Sequence, residues 1–405
     1  MSKKGYIISL GAGKNQVPFL EKISEMGYGI IAVDINPNAI GFGLAEIRIQ
    51  NSILEPEKIY LLLLKTVLDA PIVGVGLRSF GKAVKTAAFL AEKFRVTHPK
   101  LEIIEKFQNK FQLKKELEQN KILIPKQFHW KNISERTKIT KELTFPLIQK
   151  PIDGDGKKGI KIFHSLSEWK KSNEKNKSGY AEEYIQGKEI TVLGFVQGKK
   201  FHLVSISDKI TTESPPFLEK THIVPSTSRE LAGEVILICN EIIKATGLDD
   251  SPFVAEFKVN QRGDIYLIEC VPEIGGEFLA DALIPNQFKY DYFFNYVKLI
   301  LGKKISRPKI DWKPKTYSVL NFIIPNQPKT RFIGLKKSKK EVKPFFSVEL
   351  QKTGASISFD MGNLCRVYAS AFDVNALDLE IDKEIIDKEA IFEELDENEL
   401  ESSLY

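Results

Sequence analysis

Ser251-Pro-Phe-Val-Ala-Glu256-Phe-Lys-Val-Asn260-Gln-Arg-Gly263-Asp-Ile-Tyr-Leu-Ile-Glu269-Cys-Val-Pro-Glu273-Ile-Gly-Gly-Glu277 is the stretch around which the chain is organised. Two runs rich in Val, Phe, Ile and Tyr flank the polar Asn260-Gln261-Arg262-Gly263, the pattern of a β-hairpin. With Arg262-Gly263 as a two-residue turn, the ladder sets Glu256 directly opposite Glu269. Side chains so paired lie about 5 Å apart, and like charges there repel. Two readings follow. Facing carboxylates with room between them suit a hard divalent cation such as Mg²⁺. Alternatively they are two solvated glutamates on an exposed face, and a shift of one residue in register separates them.

Working outward, the 405 residues, 42% hydrophobic, suffice for two or three cores and exceed one ordinary domain. A charged fraction of 28% is that of a soluble globular chain. The net charge of +6 is unevenly spread. Lysines and arginines crowd Lys303 to Lys343, whereas Glu384 to Glu401 is acidic, so the two runs can neutralise each other. The basic run is interleaved with strand-like apolar residues, which argues against nucleic acid as a partner. Cys239, Cys270 and Cys365 are widely spaced in apolar settings, which fits buried thiols in a reducing compartment and offers no zinc spacing. The N-terminus leads straight into a strand, without the shape of a signal peptide. Ile59 to Leu77 is interrupted by Lys65 and Asp69 and is too short for a bilayer. A cytoplasmic location with no membrane partner is expected.

Along the chain, Tyr6 to Leu10 reads as a buried strand, followed by Gly11-Ala-Gly13 and a helical pattern through Met26. Gly29 to Asp34 is a second strand ending in an acid about 20 residues on, as in dinucleotide sites, although Gln16 stands in place of the third glycine. Residues 1–100 are expected to form a small doubly wound α/β domain. A Lys- and Glu-rich helix follows from Leu101 to near Asn120. Phe145 to Pro151 is a strand carrying Lys150, and it enters the glycine-rich loop Ile152-Asp-Gly154-Asp-Gly156-Lys-Lys-Gly159. Such a loop either closes over phosphates, with Lys150, Lys157 and Lys158 supplying charge, or is an ordinary hairpin loop. It lacks the Gly-Lys-Ser/Thr of a P-loop. Gly179-Tyr-Ala-Glu182-Glu183-Tyr-Ile185 and Glu189-Ile-Thr-Val are further strands. Thr211 to Ser226 reads as a long polar loop, and loops of that length are often functional. Glu230 to Thr246 and Pro285 to Leu301 read as helices. A basic β-rich module with a helix at Asp373 to Asp387 precedes a frayed acidic tail. No internal repeat is present.

The order of these signals resembles the ATP-grasp superfamily, and in particular its carboxylate–amine ligases. A Lys-bearing helix, Lys-Pro before a glycine loop, Glu-Glu-Tyr-Ile, and two strand-borne glutamates closed by Gly-Gly follow one another over roughly residues 5 to 380. The resemblance implies a Rossmann-like pre-ATP-grasp α/β domain (1–100). It further implies an α+β ATP-grasp core (101–305, small lobe about 126–187), a β-rich C-terminal module (306–388) and an acidic tail (389–405). It implies ATP and Mg²⁺ as cofactors, with Mn²⁺ an acceptable substitute. In such enzymes the γ-phosphate passes to a carboxylate, and an amine attacks the acyl phosphate. By resemblance, Lys110 and Lys150 contact phosphates, and Gly154, Gly156 and Gly159 form the mobile flap. Glu182, Glu183 and Ile185 are the hinge that reads the adenine edge, Glu189 is the acid at the ribose, and Lys209 reaches the phosphates. Leu267, placed by strand alternation on the face of Glu269, would floor the adenine. Glu256 and Glu269 become the metal ligands.

Two departures stand out. The family usually carries a metal-contacting Asn where this chain has Val271, and an Arg where it has Glu273. An acid there reverses the charge that would steady an acyl phosphate, so Arg229 or a lysine of the 211–226 loop supplies the cation, the substrate is itself cationic, or activity is reduced. His222 faces the substrate side in the family pattern. The leading expectation is a ligase joining a small carboxylate to an amine, with small molecules as partners and a homodimer allowed. The alternatives are an ATP-binding protein without turnover and a dinucleotide-dependent oxidoreductase resting on Gly11, Gly13 and Asp34.

Overall fold

The computed structural model describes residues 4–78, 81–138, 141–150, 159–172, 179–338 and 342–395. It begins with β1 (Tyr6–Leu10), α1 (Val17–Glu25), β2 (Gly29–Asp34), β3 (Ile47–Gln50), α2 (Pro56–Leu64), β4 (Ile72–Leu77) and α3 (Ala83–Phe94). The four strands form a parallel sheet in the order β3-β2-β1-β4. Helices cover both faces, as parallel strands require, and β1 and β2 are almost wholly apolar for that reason. The glycine turn after β1 is tightly held. The Ala12 amide donates to Asp34 (2.8 Å), and the amide of Gly41 donates to the Ala12 carbonyl (2.7 Å). Asp34 is thus committed to the backbone of its own turn, which removes support from the dinucleotide reading.

The expected single helix after Leu101 is two: α4 (Leu101–Gln108) and α5 (Lys110–Gln119). They break at Asn109, whose side chain caps the second helix by accepting from the Gln112 amide (3.0 Å). A small four-stranded sheet follows, ordered β5-β8-β6-β7. Its strands are β5 (Gln127–Trp130), β6 (Leu147–Lys150), β7 (Lys161–Phe163) and β8 (Gly179–Glu183), with helices α6 (Ile133–Lys138) and α7 (Leu166–Lys171).

Next come β9 (Lys188–Val196), β10 (Phe201–Thr211), β11 (Glu219–Val224), α8 (Ala232–Thr246), β12 (Ser251–Val259) and β13 (Ile265–Val271). The expected loop at 211–226 therefore shrinks to 212–218, because β10 runs to Thr211 and β11 starts at Glu219. After a π-turn at Leu279–Leu283, helices α9 (Ile284–Phe288) and α10 (Tyr292–Ile300) close this part. The C-terminal segment holds β14 (Thr316–Ile323), β15 (Lys329–Lys337), β16 (Phe346–Glu349), β17 (Ser356–Ser358), β18 (Tyr368–Asn375), α11 (Leu379–Asp382) and β19 (Lys388–Glu394).

It is not a free-standing β module. Strands β14, β18 and β16 extend the central sheet, whose order is β13-β12-β9-β10-β11-β14-β18-β16. The remaining three strands form a small sheet, β17-β15-β19. The helix expected over 373–387 is confined to Leu379–Asp382, because β18 continues to Asn375. The first part of the acidic segment expected as a tail is a strand through Glu394, paired with basic β15, and residues 396–405 of that tail lie outside the described residues. Lys336–Glu389 (3.0 Å) and Arg331–Glu393 (3.2 Å) show the two charge runs meeting.

The central sheet has two different faces. On one, Phe253, Ala255 and Phe257 of β12 and Ile190 and Val192 of β9 pack against α5 and α8. Fully burying each Phe is worth about 1.5–3 kcal/mol. The other face is apolar only at one end, where Leu193, Val254 and Leu320 pack with α1 and α10. Its remaining rows are polar and form the site.

Candidate active site

The hairpin places Glu256 directly opposite Glu269, as its sequence suggested, but by a different route. The turn is a three-residue loop, Gln261 to Gly263, closed by Asn260 and Asp264, with Gly263 in the left-handed region (φ 87°). A bulge at Ile268 then restores the pairing: Phe257 opposes Leu267, while Glu256 opposes Glu269. The bulge also breaks the alternation on which the Leu267 expectation rested. Leu267 pairs with Phe257 and lies 1% exposed in the core of the opposite face, so it does not share the face of Glu269.

On the site face, two rows run across the strands. One is Glu269, Glu256, Thr191 and Ser207; the next is Lys258, Glu189, Lys209 and His222. Lys209 Nζ, buried at their centre, lies 2.6 Å from Glu256, 2.8 Å from Glu189 and 3.3 Å from Glu219. Burial pulls the Lys209 pKa down, but Glu189, Glu256, Glu219 and Glu277 outweigh it and hold the ammonium well above its ordinary range. Lys110, at the start of α5, pairs with Glu269 (2.7 Å). Burial raises the Glu269 carboxyl, yet Lys110, Lys150 and Lys114 prevail and keep it below the ordinary range.

Lys150, at the end of β6, pairs with Glu182 (2.7 Å), which Lys114 and the Tyr180 hydroxyl also contact. Glu182 is 1% exposed. Burial would raise its pKa, but Lys114 and Lys150 hold it below the carboxylate range. Glu182 thus enters the site through its side chain. The amides of Glu183 and Tyr184 donate to Lys126 and Pro146 carbonyls, and the strand ends there, leaving Ile185 in the connection to β9. Gly187 in that connection lies so close to the hairpin that a Cβ would meet the Val259 carbonyl at 2.0 Å. Tyr184 stacks on Phe217 (5.4 Å between centroids), and Lys258 lies over its ring (4.3 Å).

Of the flap, Gly159 is described and has φ 66°; Gly154, Gly156, Lys157 and Lys158 lie outside the described residues. Glu273 turns to the N-terminal domain, where the Gly81 amide donates to it (2.8 Å). Nearby, Arg78 and Asp281 form an ion pair, both about nine-tenths buried, across the same junction. Arg229 is exposed and, among the described residues, reaches the Trp312 carbonyl (3.4 Å). Lys220, the lysine expected in that loop, lies on β11, is half-buried and pairs with Glu384 (3.2 Å). The cation found beside this part of the site is Arg366, which contacts Glu219 (3.0 Å) and lies over Phe322 (4.0 Å). His222 is fully buried, with Glu219 and Glu277 offering oxygens within 4.8 Å of its ring nitrogens and of each other.

Sequence reading missed Lys114, Tyr180, Glu219, Glu277 and Arg366. Lys114 and Tyr180 had a local signal: one lies four residues from Lys110 on a helix, the other two from Glu182 on a strand. Glu219 had none. Three residues from His222 in a strand, it belongs on the opposite face, and a bulge at Lys220 swings it back: Lys209 pairs with His222 but Thr211 with Glu219. Arg366 is 147 residues distant from Glu219 and comes from the C-terminal segment.

The site thus sets lysines against paired carboxylates between a small four-stranded lobe and a large antiparallel sheet. Residues 143–281 match the family described as ATP-grasp domain. Among solved structures, an L-amino acid ligase from Bacillus licheniformis is 18% identical, covering 97% of this chain and 100% of its own, with a TM-score of 0.76. A phosphoribosylglycinamide synthetase from Anaerococcus prevotii is 17% identical over 96% and 99%, with a TM-score of 0.72. The biotin carboxylase domain of a 2-oxoglutarate carboxylase from Hydrogenobacter thermophilus, described with MgADP and bicarbonate, is 16% identical over 95% and 91%, with a TM-score of 0.72. At such identities the likeness is one of fold. No curated protein sequence matches the chain. Among the described residues, no helix is long and apolar enough to cross a membrane.

Proposed function

We propose that this chain is an ATP- and Mg²⁺-dependent ligase that activates a small carboxylate as an acyl phosphate and joins it to an amine. The observation that carries the proposal is the direct pairing of Glu256 with Glu269, each held by a lysine at 2.6–2.7 Å, on the face that also bears Lys209. Two partly exposed carboxylates in register offer the hard oxygen donors that Mg²⁺ takes, so the residues present fit the ion. When bound, Mg²⁺ would neutralise charge on the nucleotide's phosphates. Lys110, Lys114 and Lys150 supply the complementary positive field, and Glu182 fixes the last two. Gly159 and the glycines before it form the flap that excludes water. Glu183, Ile185 and Glu189 border the adenosine. Arg366 steadies the acyl phosphate in place of the arginine missing at 273, and Glu273 ties the N-terminal domain to the core.

The experiment is phosphate release from ATP, screened against paired mixtures of amines and carboxylates, amino acids included. Release that requires both partners and Mg²⁺ supports the ligase. Tight Mg·ATP binding with no release under any pairing makes the chain a binding protein. Three buried cysteines without bridges support a cytoplasmic setting. A homodimer is also proposed, on the analogy of the dimer described for the biotin carboxylase domain, and sedimentation tests it.

A further inference from the structure

We propose that Tyr184 is a positioning residue that couples the nucleotide's seat to the 212–218 loop, so that a bound nucleotide holds that loop in place. The inference rests on the ligase reading for where the nucleotide lies, and it links two parts of the site which that reading leaves separate. Tyr184 stands where the chain passes from the small lobe to the central sheet. Its amide donates to the Pro146 carbonyl (2.9 Å) and that of Glu183 to the Lys126 carbonyl (3.0 Å), so the backbone to this point belongs to the small lobe. Three residues later Gly187 lies against Val259 of the hairpin, and β9 begins at Lys188, so the chain is then fixed to the sheet. The side chain of Tyr184 crosses that boundary. Its ring stacks on Phe217, with 5.4 Å between centroids and planes 17° apart, and the Lys258 ammonium lies 4.3 Å from its centre. With a ring and an ammonium already against it, Tyr184 acts as a clip and not as a platform for the base.

The loop that the clip holds is built to move as one piece. Pro215 and Pro216 fix φ at successive positions. Thr212 closes the loop: its amide donates to the Leu218 carbonyl (2.8 Å), and its hydroxyl accepts from the Leu218 amide (2.9 Å) and donates to the Ser214 carbonyl (3.0 Å). Phe217 keeps a left-handed backbone (φ 57°) while only 8% exposed, so a strained conformation is retained where it seats the ring. Next in the chain, Leu218 is buried in one cluster with Phe332, Cys365 and Val367 of the C-terminal segment. Glu219 follows and receives Lys209 and Arg366. A shift of Tyr184 therefore reaches, through Phe217 and the backbone after it, the carboxylate that holds Arg366.

Coupling follows from the neighbours of Tyr184. Glu183 and Ile185, on either side of it, border the adenosine in the ligase reading. A nucleotide that fixes those two residues fixes the ring between them, and the loop loses the openings that require the ring to turn away. The effect is reciprocal by linkage: whatever orders the 212–218 loop favours the bound nucleotide by the same factor.

The test is hydrogen–deuterium exchange of the full chain, read by mass spectrometry on peptides covering 212–219. Exchange is followed with Mg²⁺ alone and with Mg²⁺ plus a saturating non-hydrolysable ATP analogue, and calorimetry on the same samples confirms that the analogue is bound. In the wild type the analogue is expected to slow exchange of these peptides by about two- to tenfold, the worth of one aromatic pair. Tyr184→Leu should exchange faster in both states and lose the slowing, whereas Tyr184→Phe, which keeps the ring, should retain it. Phe217→Leu removes the same stack from the loop side and serves if melting curves show Tyr184→Leu unfolded. A contact that only packs the loop would speed exchange in the variants and leave the ratio between the two states unchanged. Slowing that persists in either folded leucine variant therefore overturns the proposal, as does a wild-type loop whose exchange is indifferent to bound analogue. Absence of analogue binding to the wild type defeats the nucleotide reading itself, a separate result.

Discussion

Replacing Lys209 with Met removes a buried cation from three carboxylates at 2.6, 2.8 and 3.3 Å. The side chain is fully enclosed, so little water can take its place. Breaking a buried ion pair from one side leaves uncompensated charge and costs about 3–5 kcal/mol. For the lobe built on the central sheet, each kcal/mol is worth about 2–4 °C, so the melting transition should fall by roughly 6–20 °C. The sign with pH is fixed. The Lys209 pKa is raised, so its contribution is present below the ordinary lysine range and is lost as pH rises through the higher folded value. On the acid side the benefit fades for another reason: once Glu189, Glu219 and Glu256 protonate, nothing is left to neutralise. Scanning calorimetry of both proteins at about pH 8 and about pH 4 gives the comparison. A difference below about 1 kcal/mol at pH 8, the value typical of a surface pair, would refute the reasoning.

The other expectations are shorter. Glu269→Gln should lower Mg²⁺-dependent phosphate release by at least about 100-fold, since a carboxamide is a poor ligand for a hard ion; steady-state kinetics read it. Glu182→Gln should raise the KM for ATP by about tenfold, or 1.4 kcal/mol, because Lys114 and Lys150 lose the charge that holds them. Glu277, with its folded value near 8, binds a proton that the unfolded chain releases above the ordinary 4.5. Stability should therefore decline as pH rises from about 4.5 to about 8, by on the order of 3 kcal/mol given its partial exposure. Glu277→Gln should flatten that slope in urea titrations. NAD and NADP should not bind in calorimetry, because Asp34 already accepts from its own glycine turn.

The parts of the fold legible in sequence were those governed by local pattern. The buried β1 and β2 strands read as apolar runs, and the hairpin read from its flanking β-formers. Glu256 and Glu269 were found opposite each other although the turn was read one residue short, because the bulge at Ile268 compensated. The same bulge carried Leu267 to the far face, and a second, at Lys220, brought Glu219 to the near one. Single inserted residues leave no mark in composition or periodicity, so strand alternation fails at such points. The acidic C-terminal strand and the extension of the central sheet by β14, β16 and β18 depend on contacts distant in sequence. Its charge hid a strand whose partner, β15, carries the opposite sign. Glu273 read as a reversed catalytic charge, while its structural partner, the Gly81 amide, is 192 residues away.

Anomalous diffraction from crystals grown with Mn²⁺ and a non-hydrolysable ATP analogue probes the paired carboxylates most directly. The expected result is manganese within coordinating distance of both Glu256 and Glu269, with Lys110 and Lys150 released from their carboxylates onto phosphate oxygens. Manganese bound elsewhere, or triphosphate seated away from Lys150, would contradict the metal and nucleotide assignments together.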